Sequence, residues 1–363
     1  MIMNLNGIKS FYHLVIILII CSCNQKIKSK NKLSTAIIPQ PKSIIINKGS
    51  CVFSSIKLNF PKELNEEVSI FKNQLNSYFK NNRELFNETG IPIKIILQKD
   101  SNLINDYSLI IKRNGIEISS NKRSGVFHGI QSLFQLITLN NKDQKFELPC
   151  LVINDISAFN HRGFLLDCCR HFFDVNTIKK YIDLLSFYKM NVFHWHLTED
   201  QGWRIEIDKY PLLNSIGSWR NDSSGIYGGY YSKKEIKHIV EYAKKRHIKV
   251  IPEIELPGHS QAAIASYPYL SCNQKPIKVA TDWGVFKEIY CAGNDSVFLF
   301  IEDVLNEVTK LFPSDMIHIG GDEAPKFRWE NCSKCQKRIK EKNINNENEL
   351  QRNFIERVAN ILS

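Results

Sequence analysis

From residue 162 onward the chain switches repeatedly between two hydrophobic periods. Short apolar runs of strand type occur at 162–169 (RGFLLDCC), 191–198 (NVFHWHLT), 248–255 (IKVIPEIE) and 316–321 (MIHIGG). Apolar residues at helical spacing fill 175–190, 232–247, 295–312 and 346–362, with Ser232 placed as an N-cap. This alternation predicts a parallel β/α architecture, and the short apolar strands fit a sheet covered by helices. Upstream the pattern differs. Ile44, Ile45 and Ile46 and the stretch 91–98 are strand-like, 106–120 alternates around Asn114-Gly115 as a hairpin would, and 126–139 is helical in spacing. The chain therefore divides into an α/β unit at 36–155, without a cluster of reactive side chains, and a β/α unit at 156–363.

Reactive residues collect at one place in this pattern. Arg170 follows the first strand of the β/α unit, Glu199 and Asp200 the second, Glu255 and His259 the third, and Asp322 and Glu323 the fourth. The C-terminal ends of strands are where a (β/α)8 barrel builds its active site. Two adjacent carboxylates at a pocket mouth repel, which favours different protonation states. Glycoside cleavage needs such a pair: one acid for the leaving oxygen, one anion for developing positive charge. An isolated acid pair is nonetheless more often solvated surface or a metal ligand.

Four stretches change that weighting. HRGFLLDCCRHFF (161–173), MNVFHWHLTEDQGWRIEI (190–207), IPEIELPGHSQAA (251–263) and IHIGGDEAPKFRW (317–329) occur in order, each at a strand end. Together they resemble the family 20 glycoside hydrolases, the β-N-acetylhexosaminidases. The resemblance implies a small α/β domain followed by a TIM-type (β/α)8 barrel, of which about the first half is in this sequence. It implies hydrolysis of terminal N-acetyl-β-D-glucosamine or galactosamine from oligosaccharides and glycoconjugates, in which the sugar's own acetamido oxygen attacks the anomeric carbon. Glu323 is then the general acid, Asp322 orients the acetamido group and stabilises the oxazolinium ion, and Arg170 grips sugar hydroxyls. His259 with Glu199 forms a polar pair supporting the acid. The family more often has aspartate where this chain has Glu199, and Asp200 is a rival for that role. No metal or other cofactor is implied. The later barrel strands of the family carry tryptophans, a tyrosine and a further acid of the sugar pocket, which have no counterparts here, so weak or absent turnover is expected of the 363 residues alone.

Two other readings remain open on the residues themselves. One is a lipid-anchored glycan-binding fragment or remnant without catalysis. The other is a metal-dependent barrel hydrolase using His194, His196 and His259, since alternation puts His194 and His196 on one strand face. Trp203, Trp219 and Trp329 could stack on sugars, but large aromatics more often fill cores.

The chain's formal net charge is +11, but the lysines are scattered among Asn/Lys-rich stretches, so no nucleic-acid partner is expected. Its ends and cysteines add a compartment. Residues 11–20 (FYHLVIILII) form a short apolar run preceded by Lys9 and followed by Ile20-Cys21-Ser22-Cys23. This fits a bacterial lipoprotein signal over 1–23, with Cys23 as the lipid-bearing first residue of the exported protein, a tether at 24–35 and a membrane as partner. Outside the cytoplasm, Cys272 and Cys291 are placed to close a loop as a disulfide. Cys332 and Cys335 form one CxxC, half of a zinc pattern with no second pair or histidine partner at zinc spacing nearby, so a loop-pinning disulfide or free thiols are expected there and not a metal.

Overall fold

The computed structural model describes residues 33–79, 84–98, 106–142, 145–223 and 225–363. The signal and most of the tether expected at 1–35 lie outside them. The first domain is one mixed sheet: β1 (Ser43–Phe53), β2 (Ile56–Asn59), β3 (Ile91–Leu97), β4 (Tyr107–Lys112), β5 (Gly115–Ser120), β6 (Asn141–Lys142) and β7 (Lys145–Asp155). Its order is β1-β7-β4-β5-β3-β2, with β6 beside β7. The hairpin at Asn114-Gly115 is present as β4–β5, pairing Lys112 with Gly115. Helices α1 (Asn65–Phe79) and α2 (Arg123–Leu139) supply Phe71, Leu75, Ile130 and Leu133 to one apolar core with the sheet.

The second domain runs β8 (Gly163–Asp167), α3 (Val175–Phe187), β9 (Val192–His196), a small hairpin of β10 (Thr198–Glu199) and β11 (Gly202–Trp203), α4 (Leu212–Ser215), a second hairpin of β12 (Trp219–Asp222) and β13 (Gly225–Gly228), α5 (Lys233–Lys244), β14 (Lys249–Glu253), α6 (Gln261–Ser266), α7 (Asp295–Leu311), α8 (Phe327–Glu330), α9 (Ser333–Lys342) and α10 (Glu347–Leu362). Strands β8, β9 and β14 are parallel neighbours in that order. Residues 316–321 join β14 through a single parallel bridge, Glu253 to His318. Three backbone hydrogen bonds make this join: His318 to Pro252, Ile254 to His318, and Leu256 to Ile319. The four expected strand positions thus form an open parallel arc of the barrel type. The fourth falls short of a regular strand because, among the described residues, nothing pairs with its far side.

Local sequence explains the helices around the arc. Ser232 caps α5 and Glu235 returns the bond to the Ser232 backbone, a full capping box. Helix α7 buries Val297, Phe300, Ile301, Val304, Leu305 and Val308 at positions three or four apart. Trp203 and Trp329 are both buried in this core, so of the candidate stacking tryptophans only Trp219 reaches solvent. The two hairpins between β9 and α5 were not legible as periodicity, because their strands are two to four residues long.

The domains are pinned together at Glu67 of α1. Its carboxylate is fully buried. Arg123, the first residue of α2, donates to it at 2.8 and 3.1 Å, and His247, just beyond α5 in the second domain, lies 3.0 Å away. Burial alone would push the Glu67 carboxyl up, but the hydrogen bonds from His247 and Arg123 outweigh it and hold it at about 2. The stability this gives is present above the ordinary value of 4.5 and is lost as pH falls toward about 2. Glu67→Gln should cost about 3 kcal/mol near neutral pH, and the deficit should shrink through that acid window. Urea unfolding at a series of pH values measures this, and a deficit independent of pH would refute it.

Candidate active site

The site begins where β8 ends. Asp167 Oδ1 accepts from the backbone N–H of Cys169 and Arg170, and its Oδ2 takes Arg170 Nη1 at 2.8 Å. Below this turn lies Arg204, fully buried, which donates to the carbonyls of Cys168, Cys169, Ser218 and Gly229. One guanidinium with several fixed donors thereby ties the end of β8 to both ends of the β12–β13 hairpin. Arg170 is left facing the cleft, with Nη2 3.2 Å from Glu199 Oε2 and its guanidinium 4.8 Å from the ring centre of exposed Trp283.

His259 sits at the centre. Its Nδ1 is 2.7 Å from Glu199 Oε1 and 3.5 Å from Asp200 Oδ2, and its Nε2 is 3.5 Å from Glu323 Oε2. Of the two rival acids, Glu199 makes the short contact, while Asp200 is turned to accept from the backbone N–H of Gln261. His259 and Glu323 both have left-handed backbone angles, φ 48 and 43, which side-chain-bearing residues seldom adopt. Strain at both ends of one contact marks a geometry that the surroundings impose.

Gly320 shows how that geometry is imposed. Its φ is 64, and a Cβ there would lie 1.8 Å from Glu255 Oε2. Only glycine lets the chain pass over the buried Glu255 carboxyl and turn to present Asp322 and Glu323. The cleft so formed holds about 450 Å³ and is lined by Arg170, His196, Glu199, Glu255, His259, Asp322 and Glu323 among others. Both members of the Asp322–Glu323 pair are exposed to solvent.

The charges beneath the cleft are strongly differentiated. Burial pulls His259 down, but hydrogen bonds with Asp200 and Glu199 and their charges raise it to about 11. It is therefore an imidazolium at neutral pH. Burial raises Glu199, yet hydrogen bonds from His196 and His259 bring it well below the ordinary range. Asp200 moves the other way, pushed up by burial and by the Glu199 charge. Glu253 is buried too, but His194 and Glu255 hold it at about 2, while burial and the neighbouring Glu253 raise Glu255 to about 9. The result is a cation at His259 facing an anion at Glu199, with anionic Glu253 beside a neutral Glu255 carboxyl, all buried at the ends of neighbouring strands.

Arg170, Glu199, His259, Asp322 and Glu323 thus share one cleft, while Asp200 is buried behind His259 and does not line it. Of the three histidines of a metal-hydrolase reading, His196 and His259 line this cleft and His194 does not, and the acidic groups they meet differ. His194 groups with Glu253 and His318, His196 with Glu253 and Glu255, and His259 with Glu199 and Asp200. Asp167, Arg204, Glu253, Trp283 and His318 were not singled out in the sequence. Inward alternation on β8, β9 and β14 could have flagged Asp167 and Glu253, whereas Trp283 lies on a loop with no periodic signal. The expected Cys272–Cys291 disulfide needs correction. Both thiols are free, and they lie near each other and also against the CxxC pair, 3.8 Å for Cys272–Cys335 and 3.7 Å for Cys291–Cys332. A loop closed by folding, not by spacing along the chain, supplies the partners.

Residues 159–363 match the catalytic domain of glycosyl hydrolase family 20, and residues 34–156 match the family's domain 2. The chain belongs to glycosyl hydrolase family 20. It is similar to a protein of Porphyromonas gingivalis named beta-hexosaminidase, 47% identical over 262 residues, covering 70% of this chain and 34% of that one. A beta-hexosaminidase of Akkermansia muciniphila is 36% identical, covering 77% of this chain and 58% of the relative. Among solved structures, the beta-N-acetylhexosaminidase of Bacteroides fragilis superposes with a TM-score of 0.76 at 35% identity, covering 91% of this chain and 64% of that one. The Vibrio harveyi exo beta-N-acetylglucosaminidase in complex with N-acetylglucosamine gives 0.77 at 30% identity, covering 90% of this chain and 53% of that one. The chain therefore spans about a third to two thirds of the length of these relatives.

The neutral Glu255 carboxyl sets a pH dependence. A carboxyl held up at about 9 supports the fold fully below its ordinary 4.5, and that support is lost as pH rises through about 9. Glu255→Gln copies the neutral form. It should match the wild type near pH 4.5 and grow relatively more stable toward pH 9. Thermal melting across this range is the measurement, and parallel curves for the two proteins would contradict the assignment.

Proposed function

We propose that the chain carries the acid and orienting machinery of a retaining β-N-acetylhexosaminidase acting on terminal N-acetylhexosamine of oligosaccharides or glycoconjugates. The observation that carries this reading is the contact of Glu323 with His259, which is itself held by buried Glu199. Glu323 then meets the glycosidic oxygen with a fixed orientation, donates its proton to the leaving group and afterwards takes one from water. Asp322, adjacent on the same turn, faces the acetamido group. As that group cyclises onto the anomeric carbon its nitrogen gains positive character, so an anion beside it stabilises the transition state more than the ground state. Arg170, aligned by Asp167 and Glu199, offers its remaining donors to sugar hydroxyls.

Glu323→Gln should lower turnover of a chromogenic N-acetyl-β-glucosaminide by roughly 10²- to 10⁴-fold. It should leave binding of a thiazoline analogue of the oxazolinium ion largely intact. Asp322→Asn should weaken that analogue's binding as well as turnover. Calorimetry with the analogue reads the second effect even where hydrolysis is slow. Undiminished hydrolysis by Glu323→Gln would sink the assignment.

We also propose export and anchoring through a lipid on Cys23. The support is the apolar run 11–20 and the Ile20-Cys21-Ser22-Cys23 junction. Among the described residues no helix is long and apolar enough to cross a membrane. Cys23→Ala should leave the protein unprocessed and unlipidated. A variant still processed and still in the membrane fraction by immunoblot would exclude the lipid anchor.

A further inference from the structure

Away from the sugar cleft, four cysteines converge from two loops. Cys272 and Cys291 bound the segment between α6 and α7, and Cys332 and Cys335 bracket the start of α9. One ligand atom from each lies within 4.8 Å of all the others. The sulfur separations are 3.8 Å for Cys272–Cys335, 3.7 Å for Cys291–Cys332 and 3.7 Å for Cys291–Cys335. A disulfide would need about 2.05 Å. Four sulfurs placed tetrahedrally at the usual zinc–thiolate length are about 3.8 Å apart along each edge. Cys291 touches two partners at equal distance, which suits a shared central ion and not a covalent pair.

We propose that Cys272, Cys291, Cys332 and Cys335 hold one structural zinc ion as a tetrathiolate site.

The surroundings fit that role. Cys291, Cys332 and Cys335 are buried and Cys272 half-buried, so the site is closed, with no face left for a water or substrate, as in structural zinc centres. Soft thiolates select zinc over calcium or magnesium. Cys332 is the N-cap of the ten-residue helix α9 and Cys335 lies in its first turn. The positive end of the helix there favours the thiolate form that binds metal. The backbone is set for it as well. The Cys291 N–H donates to Leu270, the Cys332 N–H to Trp329, and the Trp329 indole to the Tyr290 carbonyl. Gly293 brings the two loops into backbone contact, since a Cβ there would lie 2.2 Å from the Lys334 carbonyl carbon.

The ion would fasten two functional segments together. The loop from Cys272 to Cys291 carries Trp283 over Arg170, and the CxxC follows closely on the turn that bears Glu323. The site is structural, so the proposal stands or falls apart from the assigned hydrolysis.

The test uses the purified protein and needs no activity. Elemental analysis should find one zinc per chain. Intact mass under denaturing, non-reducing conditions should correspond to free thiols at these four positions. A mercurial thiol reagent should release the zinc in step with thiol titration. Protein produced with cobalt should show the ligand-field and thiolate-to-cobalt absorption of a tetrahedral tetrathiolate. Cys332→Ser with Cys335→Ser should lose zinc and melt at lower temperature, while the cobalt spectrum of the unmutated chain does not depend on that variant folding. Two disulfides in the intact mass, iron in place of zinc, or zinc retained by the double variant would each overturn the proposal.

Discussion

A buried imidazolium is the constraint to which the rest of this site is fitted. His259 can keep its charge in a buried position only if anions face it, and Glu199 supplies one at 2.7 Å. Glu199 in turn is held by Arg170 and His196, so a sugar-facing cation and the buried relay share one carboxylate. The second ring nitrogen is then free to face Glu323 alone. Moving Glu199 away would strip the buried His259 charge of its short contact. That cost fits the left-handed backbone accepted at His259, while the left-handed angle at exposed Glu323 belongs to the turn that follows Gly320.

The same constraint reaches backwards into the scaffold. Glu199 is placed by the β10–β11 hairpin, and Arg204, the next residue after β11, anchors the exit of that hairpin on the carbonyls of Ser218 and Gly229. Glu323 is placed by Gly320, which passes over Glu255. That crossing is tolerable because the Glu255 carboxyl is neutral beside anionic Glu253. One strand, β14, carries Glu253 and leads directly to Glu255 and His259, so it sets the protonation pattern of the whole cleft. Both domains match the family, but none of the residues lining the cleft comes from the first domain, which contributes through the Glu67 pin.

Much of this was written in the sequence where physics is local. Helices with an apolar stripe and a cap, such as 232–247 with Ser232, were legible, as was the hairpin at Asn114-Gly115. The placing of Arg170, Glu199, His259, Asp322 and Glu323 at strand ends was legible too, because a parallel β/α pattern fixes which end holds chemistry. What escaped depended on contacts distant in sequence. The choice between Glu199 and Asp200 turns on which one His259 and Gln261 reach. The meeting of Cys291 with Cys332 spans 41 positions and no spacing rule announces it. Trp283 acquires its place only because Arg170 lies beneath it.

The fourth strand position, joined to its neighbour by one bridge and three backbone hydrogen bonds, has a kinetic meaning. Local opening is governed by how many such bonds must break, and regions with few of them open long before the whole domain unfolds. Within these 363 residues the acid-bearing turn is therefore the seam of the arc: its amides should exchange with solvent earlier than those of β9, which is bonded on both sides.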